Sequence, residues 1–169
     1  MLELIAFALV LGFVVIFFVR RTSSNVALEA DAARTQGDRE VQVLRQMPPR
    51  AFERALHELA EGLGLQITES RWVNDEEIDI LARHPAPVTG GDYIVHGILV
   101  PEGEFVSSIR VIGLSDTVRA ERALKGILVT TGYFTEEVRK YAEGAPLELI
   151  NVARLRELLK EHGFLWPVA

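Results

Sequence analysis

Residues 126–150 read G-I-L-V-T-T-G-Y-F-T-E-E-V-R-K-Y-A-E-G-A-P-L-E-L-I. Residues 127–131 are a short apolar, β-branched run, as a buried strand requires, and Gly132 ends it. Thr135 suits a helix N-cap, and Glu136 and Glu137 fall in the first turn, where the helix dipole favours anions. Val138, Tyr141 and Ala142 share one helical face. Gly144 is placed for a C-cap, and Pro146 prevents continuation. Residues 147–150 then predict a second short strand. A strand–helix–strand unit must lie in a sheet, so the rest of the chain has to supply one.

The 169 residues suffice for one domain and an appendage, and 49% hydrophobic with 25% charged residues are globular values. The absence of cysteine excludes a disulfide frame and a thiolate metal site. The net charge is −6. All of it falls from Pro48 onward, where thirteen Lys/Arg face nineteen Asp/Glu. That balance opposes nucleic-acid binding, whose affinity comes largely from phosphate neutralisation.

At the N-terminus, residues 2–19 carry one charge, Glu3. As a helix they would extend roughly 27 Å, close to the ~30 Å hydrocarbon core of a bilayer. Arg20 and Arg21 follow and, by the positive-inside rule, stay cytoplasmic. A cleaved signal peptide would need a basic start and a small-x-small site, and neither is present. The uninterrupted apolar run 4–19 argues against a buried core helix. Residues 1–21 are therefore expected to be a transmembrane anchor in a single-pass inner or cell-membrane protein, N-terminus outside, C-terminal domain cytoplasmic. Residues 22–47 are polar and read as a partly helical linker. Their apolar positions do not sustain the heptads of a coiled-coil stalk, and Gly37 weakens the middle. Pro48-Pro49 marks the boundary of a domain over 48–169.

Within that domain, residues 51–62 predict an amphipathic helix with Phe52, Ala55, Leu56, Leu59 and Leu63 on one face. Residues 65–70 alternate as a half-buried strand, 71–77 form a polar loop holding Trp72, and 78–81 form the next strand. Prolines and glycines at 84–91 turn the chain into a third strand over 93–100, broken at Gly97. A helix is expected over 107–123 with Ile109, Ile112 and Val118 inward. After residues 126–150, Asn151 caps a last helix with Leu155, Leu158 and Leu159, ended by Gly163, and the tail 164–169 is apolar. Three strands with short turns suggest an antiparallel meander, and the strand–helix–strand parts suggest parallel pairing. The fold class is α/β, a mixed sheet between helices.

This order resembles the Mrr-type (type IV) restriction endonuclease domain, a branch of the PD-(D/E)xK nuclease fold. The resemblance covers about residues 49–160. Phe52-Glu53 through Leu59 with Gly62-Leu63-Gly64 is similar to the family's helix opening. Ile78-Asp79-Ile80 is similar to its "VDI" strand, and the GILVTT passage with Phe134 to its closing unit. The resemblance implies a magnesium-dependent DNA endonuclease in which an Asp and a second acid or Gln hold the metal. A lysine two residues beyond the second ligand stabilises charge on the attacked phosphate. Asp79 takes the first position and His96 the second, while Ile98 stands where the lysine belongs. Glu53 would be an auxiliary acid. The loop ahead of Asp79, Val73-Asn74-Asp75-Glu76-Glu77, adds carboxylates where the family is glycine-rich.

A rebuilt metal site drawing on His84, Asp92 and His96, with Lys125 as a migrated charge, is one way to rescue the chemistry. The plainer reading is adopted: Asp79 is a relic, His96 a satisfied strand histidine, Glu53 a helix charge, and Trp72 packs on its own domain. The expected function is that of a membrane-anchored, catalytically inactive nuclease-fold module, a scaffold or accessory subunit with membrane lipid and a protein partner at the cytoplasmic face. No cofactor is expected. The alternative is an Mrr-type endonuclease that binds and cleaves DNA with magnesium held by Asp79 and His96 in a rearranged site.

Overall fold

The computed structural model describes residues 39–163. The expected anchor, the linker up to residue 38 and the tail 164–169 lie outside them, and among the described residues no helix is long and apolar enough to cross a membrane. Pro48, in extended conformation, leads into α2, and Pro49 sits in its first turn, where a missing N–H costs nothing. This helix, Pro49–Gly62, buries Phe52, Ala55, Leu56, Leu59 and Ala60 along one stripe. Leu63, expected on the same stripe, is 38% exposed, because it occupies the C-cap and Gly64 (φ 77°) then turns the chain away. Ahead of α2 lies α1, Arg39–Arg45. Leu44 from α1 and the following Met47 enter the core, and Lys160 pairs with Glu40. The compact unit thus begins at Arg39, inside the stretch read from the sequence as linker.

The strands β1 (Gln66–Trp72), β2 (Glu77–His84) and β3 (Gly91–Ile98) pair antiparallel in succession, the expected meander. The chain then forms β4 (Phe105–Val106), α3 (Ser108–Ala120), β5 (Lys125–Thr130), β6 (Tyr133–Phe134), α4 (Glu136–Glu143), β7 (Leu147–Ile150) and α5 (Val152–Glu161). Parallel pairing of β5 to β3 and of β7 to β5 completes a five-stranded mixed sheet, β1-β2-β3-β5-β7, while β4 and β6 form a small parallel pair. One core holds α1, α2 and α5 on one face of the sheet. A second core holds α3 and α4 on the other. The architecture is the α/β sheet between helices that the sequence predicted.

Local chemistry explains the boundaries. Thr135 Oγ1 accepts from Val138 N and Asn151 Oδ1 from Arg154 N, so both expected caps are made. In the paired threonines, both fully buried, Thr131 Oγ1 accepts from Val100 N and Thr130 Oγ1 from Gly132 N. The hydroxyls thereby satisfy backbone donors just past the ends of β3 and β5.

Three further sequence expectations change. Trp72 belongs to β1 rather than a loop, paired across from Ile78. Gly97 does not break β3, which runs straight through it. In α3, Ile109 and Ile112 are 79% and 41% exposed, and Val111, Leu114, Ser115 and Val118 face inward instead. This helix is apolar on more than one side, so its period does not choose a face. The choice is made by Gly126, whose missing side chain leaves room for Leu114 and Val118: a Cβ there would lie 2.8 Å from Val118 Cγ2 and 3.1 Å from Leu114 Cγ.

Gly97 serves the other face in the same way. A Cβ on it would meet Leu56 Cδ1 at 2.4 Å, Ile78 Cγ2 at 2.8 Å and Phe52 Cε1 at 2.9 Å. Gly97→Ala is therefore expected to destabilise the fold by about 1–3 kcal/mol through overpacking, read as a lower urea midpoint at unchanged slope. An unchanged midpoint would show that α2 sits more loosely than described.

Candidate functional site

Strand alternation sorts β2 and β3 into two sets. Ile78, Ile80, Ala82 and Val95 go to the core under α2, and Gly97 faces that side. Glu77, Asp79, Ile94, His96 and Ile98 go to the opposite face, toward α3. Asp79 and His96 are directly opposed in the ladder. Asp79 Oδ1 lies 2.6 Å from His96 Nδ1, so the Nδ1–H donates to the carboxylate. The other ring nitrogen, Nε2, is then turned toward Glu77 Oε2 at 3.9 Å, beyond hydrogen-bond reach. The His96 side chain is only 12% exposed and that of Asp79 32%.

Helix α3 roofs these strands. From it Arg110 donates through Nε to Glu77 Oε1 at 2.8 Å and reaches Glu76 Oε2 at 3.4 Å. The enclosed space is a pocket of about 200 Å³ between Glu77, Asp79, Ile94 and His96 below and Arg110, Gly113, Leu114 and Thr117 above. Its polar groups form two bonded pairs, Asp79 with His96 and Glu77 with Arg110, and Thr117 adds a hydroxyl. Arg110 is the residue the sequence reading missed. Nothing in Ser108-Ile109-Arg110 signals it, because its partners Glu76 and Glu77 sit far upstream and are brought near only by the helix crossing.

The structure brings Asp79 and His96 together and leaves the other candidates elsewhere. The carboxylate of Glu53 accepts from Ser70 Oγ at 3.1 Å and Trp72 Nε1 at 3.0 Å, which ties α2 to the edge strand β1. Arg71, between those two, is the residue that opposes Asp79. Glu53 therefore works from the α2 side of the sheet, and it also holds the indole of Trp72, which packs against its own domain. His84 lies at the far end of β2, opposite Gly91. Asp92 is bound by Arg83 at 2.7 and 3.1 Å, and that hydrogen bond holds its carboxyl below the usual carboxylate value. Lys125 pairs with Glu148 and aligns with Tyr93, three positions before His96. Neither His84, Asp92 nor Lys125 reaches the pocket.

Ile98, two residues beyond His96 on the same face, is fully buried in the core under α3. Magnesium takes oxygen ligands in near-octahedral geometry. Here Asp79 Oδ1 is engaged by an imidazole nitrogen, Glu77 by a guanidinium, and the next position is a hydrocarbon. Among the described residues no three His, Asp or Glu side chains are grouped to hold a metal ion. This donor set does not fit magnesium.

A family model described as Mrr_cat, restriction endonuclease, matches residues 44–159. Among solved structures, the DNA modification-dependent restriction endonuclease AspBHI aligns at 18% identity and a TM-score of 0.55, over 78% of this chain and 38% of its own. The MspJI restriction endonuclease, solved in complex with a 27-mer oligonucleotide, aligns at 19% identity and a TM-score of 0.43, over 80% of this chain and 30% of its own. The alignments span well under half of those two enzymes, and the likeness to AspBHI, at 18% identity, is one of fold. No curated protein sequence matches the chain.

The Asp79–His96 bond should be visible as a stability coupling. Replacing each by Ala, singly and together, is expected to give a coupling energy of about 1–3 kcal/mol in a double-mutant cycle of urea unfolding, as for a hydrogen bond to a charged group. Strict additivity would mean the pair is not formed in solution.

Proposed function

The chain belongs to the Mrr-type restriction endonuclease family, and from that membership we propose that it keeps the fold as a binding module and has lost the cutting chemistry. One observation carries the reading. Ile98, fully buried, holds the position where the family resemblance places the lysine, on the same strand face as Asp79 and His96. Phosphodiester cleavage needs a cation against the attacked phosphate and a metal to polarise it. An isoleucine side chain neither donates a hydrogen bond nor carries charge. Arg110 is the cation nearest in function, and Glu76 and Glu77 already engage it. The carboxylates gathered there repel an approaching phosphate, in keeping with the net charge of −6.

The module is held at the cytoplasmic face of the membrane by residues 2–19, with Arg20 and Arg21 fixing the orientation. It acts there as a scaffold or accessory subunit for a protein partner, and it requires no cofactor. The support is the apolar run of residues 4–19 and the acidity of the domain.

Two measurements test this. Full-length protein incubated with duplex DNA and magnesium, with modified and unmodified bases, is expected to leave the DNA intact. Cleavage that disappears in Asp79→Ala would overturn the reading in favour of a rearranged active site. In cell fractionation, the protein is expected to resist extraction by high salt and alkaline carbonate and to require detergent. Removal of residues 2–19 should release it, and release of the intact chain by salt alone would refute the anchor.

A further inference from the structure

We propose that the outer face of α3 docks a basic, amphipathic helix of a partner protein. This rests on the reading of the chain as a non-cutting binding module and names the chemistry of its partner. Ile109 is 79% exposed, Phe105 59% and Ile112 41%. Ile109 and Ile112, three apart on the helix, share a face, and Phe105 precedes Ile109 by one turn's length of chain in β4. Single exposed apolar residues are ordinary, whereas two on one helix face with a third on the short strand just ahead of it mark a contact surface. The sequence already placed two of the three in the core on their hydrophobicity, yet Val111, Leu114 and Val118 fill that role. Ile109 lies mostly outside the interior and Ile112 is only partly covered.

The surroundings select the occupant. Glu102 and Glu104 are exposed in the loop that delivers Phe105. The bond from Leu99 N to Glu76 O ties the segment leading into that loop to the turn that carries Asp75 and Glu76. Glu76 itself reaches Arg110, the neighbour of Ile109. Among the described residues Asp75, Glu102 and Glu104 have no ion-pair partner. The apolar strip is therefore edged by uncompensated carboxylates. Nucleic acid and an anionic bilayer would meet like charge there. A second copy in a two-fold contact would bring the same acidic edge against itself. A helix with leucine-type residues along one stripe and Lys/Arg flanking it meets both features, burying the strip and pairing with the edge.

The test uses the full-length chain in nanodiscs of zwitterionic lipid and a fluorescent synthetic helix of about 18 residues, with leucines on one face and lysines on the other. A counterpart with glutamate for lysine is the control, and empty nanodiscs give the background. Fluorescence anisotropy is expected to show saturable binding of the lysine helix and none of the glutamate helix. Ile109→Ser and Phe105→Ser should each weaken binding at least about tenfold, since each removes an apolar side chain from the contact. The pair Glu102→Lys and Glu104→Lys should weaken it at low salt and change little at about 0.5 M salt, where such charges are screened. Equal binding of both helices, or indifference to all four substitutions, overturns the proposal. So does binding of anionic vesicles or DNA, or self-association, that is lost in Ile109→Ser, since each gives the strip another occupant. Magnesium-dependent DNA cleavage by the same preparation would remove the non-cutting reading and leave the peptide result standing, so the two failures are separable.

Discussion

Helix α2 lies so close to the middle of the sheet that no side chain fits at Gly97, where Phe52, Leu56 and Ile78 would all be struck by a Cβ. That close approach fixes which way β3 faces. With Gly97 toward α2, the alternation of the strand turns His96 and Ile98 toward α3. A slip of one residue would put an imidazole into the α2 core and leave Ile98 there in place of glycine. The antiparallel register then sets Asp79 opposite His96, and the pocket follows.

The two faces of the sheet are chemically unlike. Under α2 the contact is hydrocarbon, and its polar fastening lies at the edge, where Glu53 holds Ser70 and Trp72. Under α3 a hydrocarbon core borders two bonded sets of polar groups, Asp79 with His96, and Arg110 with Glu77 and Glu76. Each of these groups already has a protein partner or faces one. A nuclease of this fold leaves its carboxylates open to a metal and its lysine free to meet phosphate. Here the carboxylates are bonded within the protein and Ile98 is part of the core. The ionisable groups lining this pocket are thus bonded largely to one another.

Charge extends the same logic beyond the pocket. Carboxylates cluster on the turn before β2 and on the loop before β4, the two segments bonded through Glu76. A polyanion approaching from that end meets repulsion, while the exposed isoleucines of α3 next to it offer apolar area that the interior does not use. The family fold thus comes, in this chain, with an acidic rather than a basic balance of charge.

Much of this was legible in the chain itself. The caps at Thr135 and Asn151, the alternation of Ile78-Asp79-Ile80, and the meander followed by parallel crossovers all depend on neighbours within a few residues or on local patterning, so one sequence suffices to find them. The tertiary structure alone decided the rest. Helix α3 is apolar on more than one side, and only packing against Gly126 selects its inner face. Arg110 enters the pocket because that helix crosses the strand that carries Glu77, far upstream in the sequence. Glu53 and Trp72 satisfy each other across two elements, and Leu44 and Met47 join the core from a segment whose polarity reads as linker. In each case the determining partner is distant along the chain, and local periodicity carries no information about it.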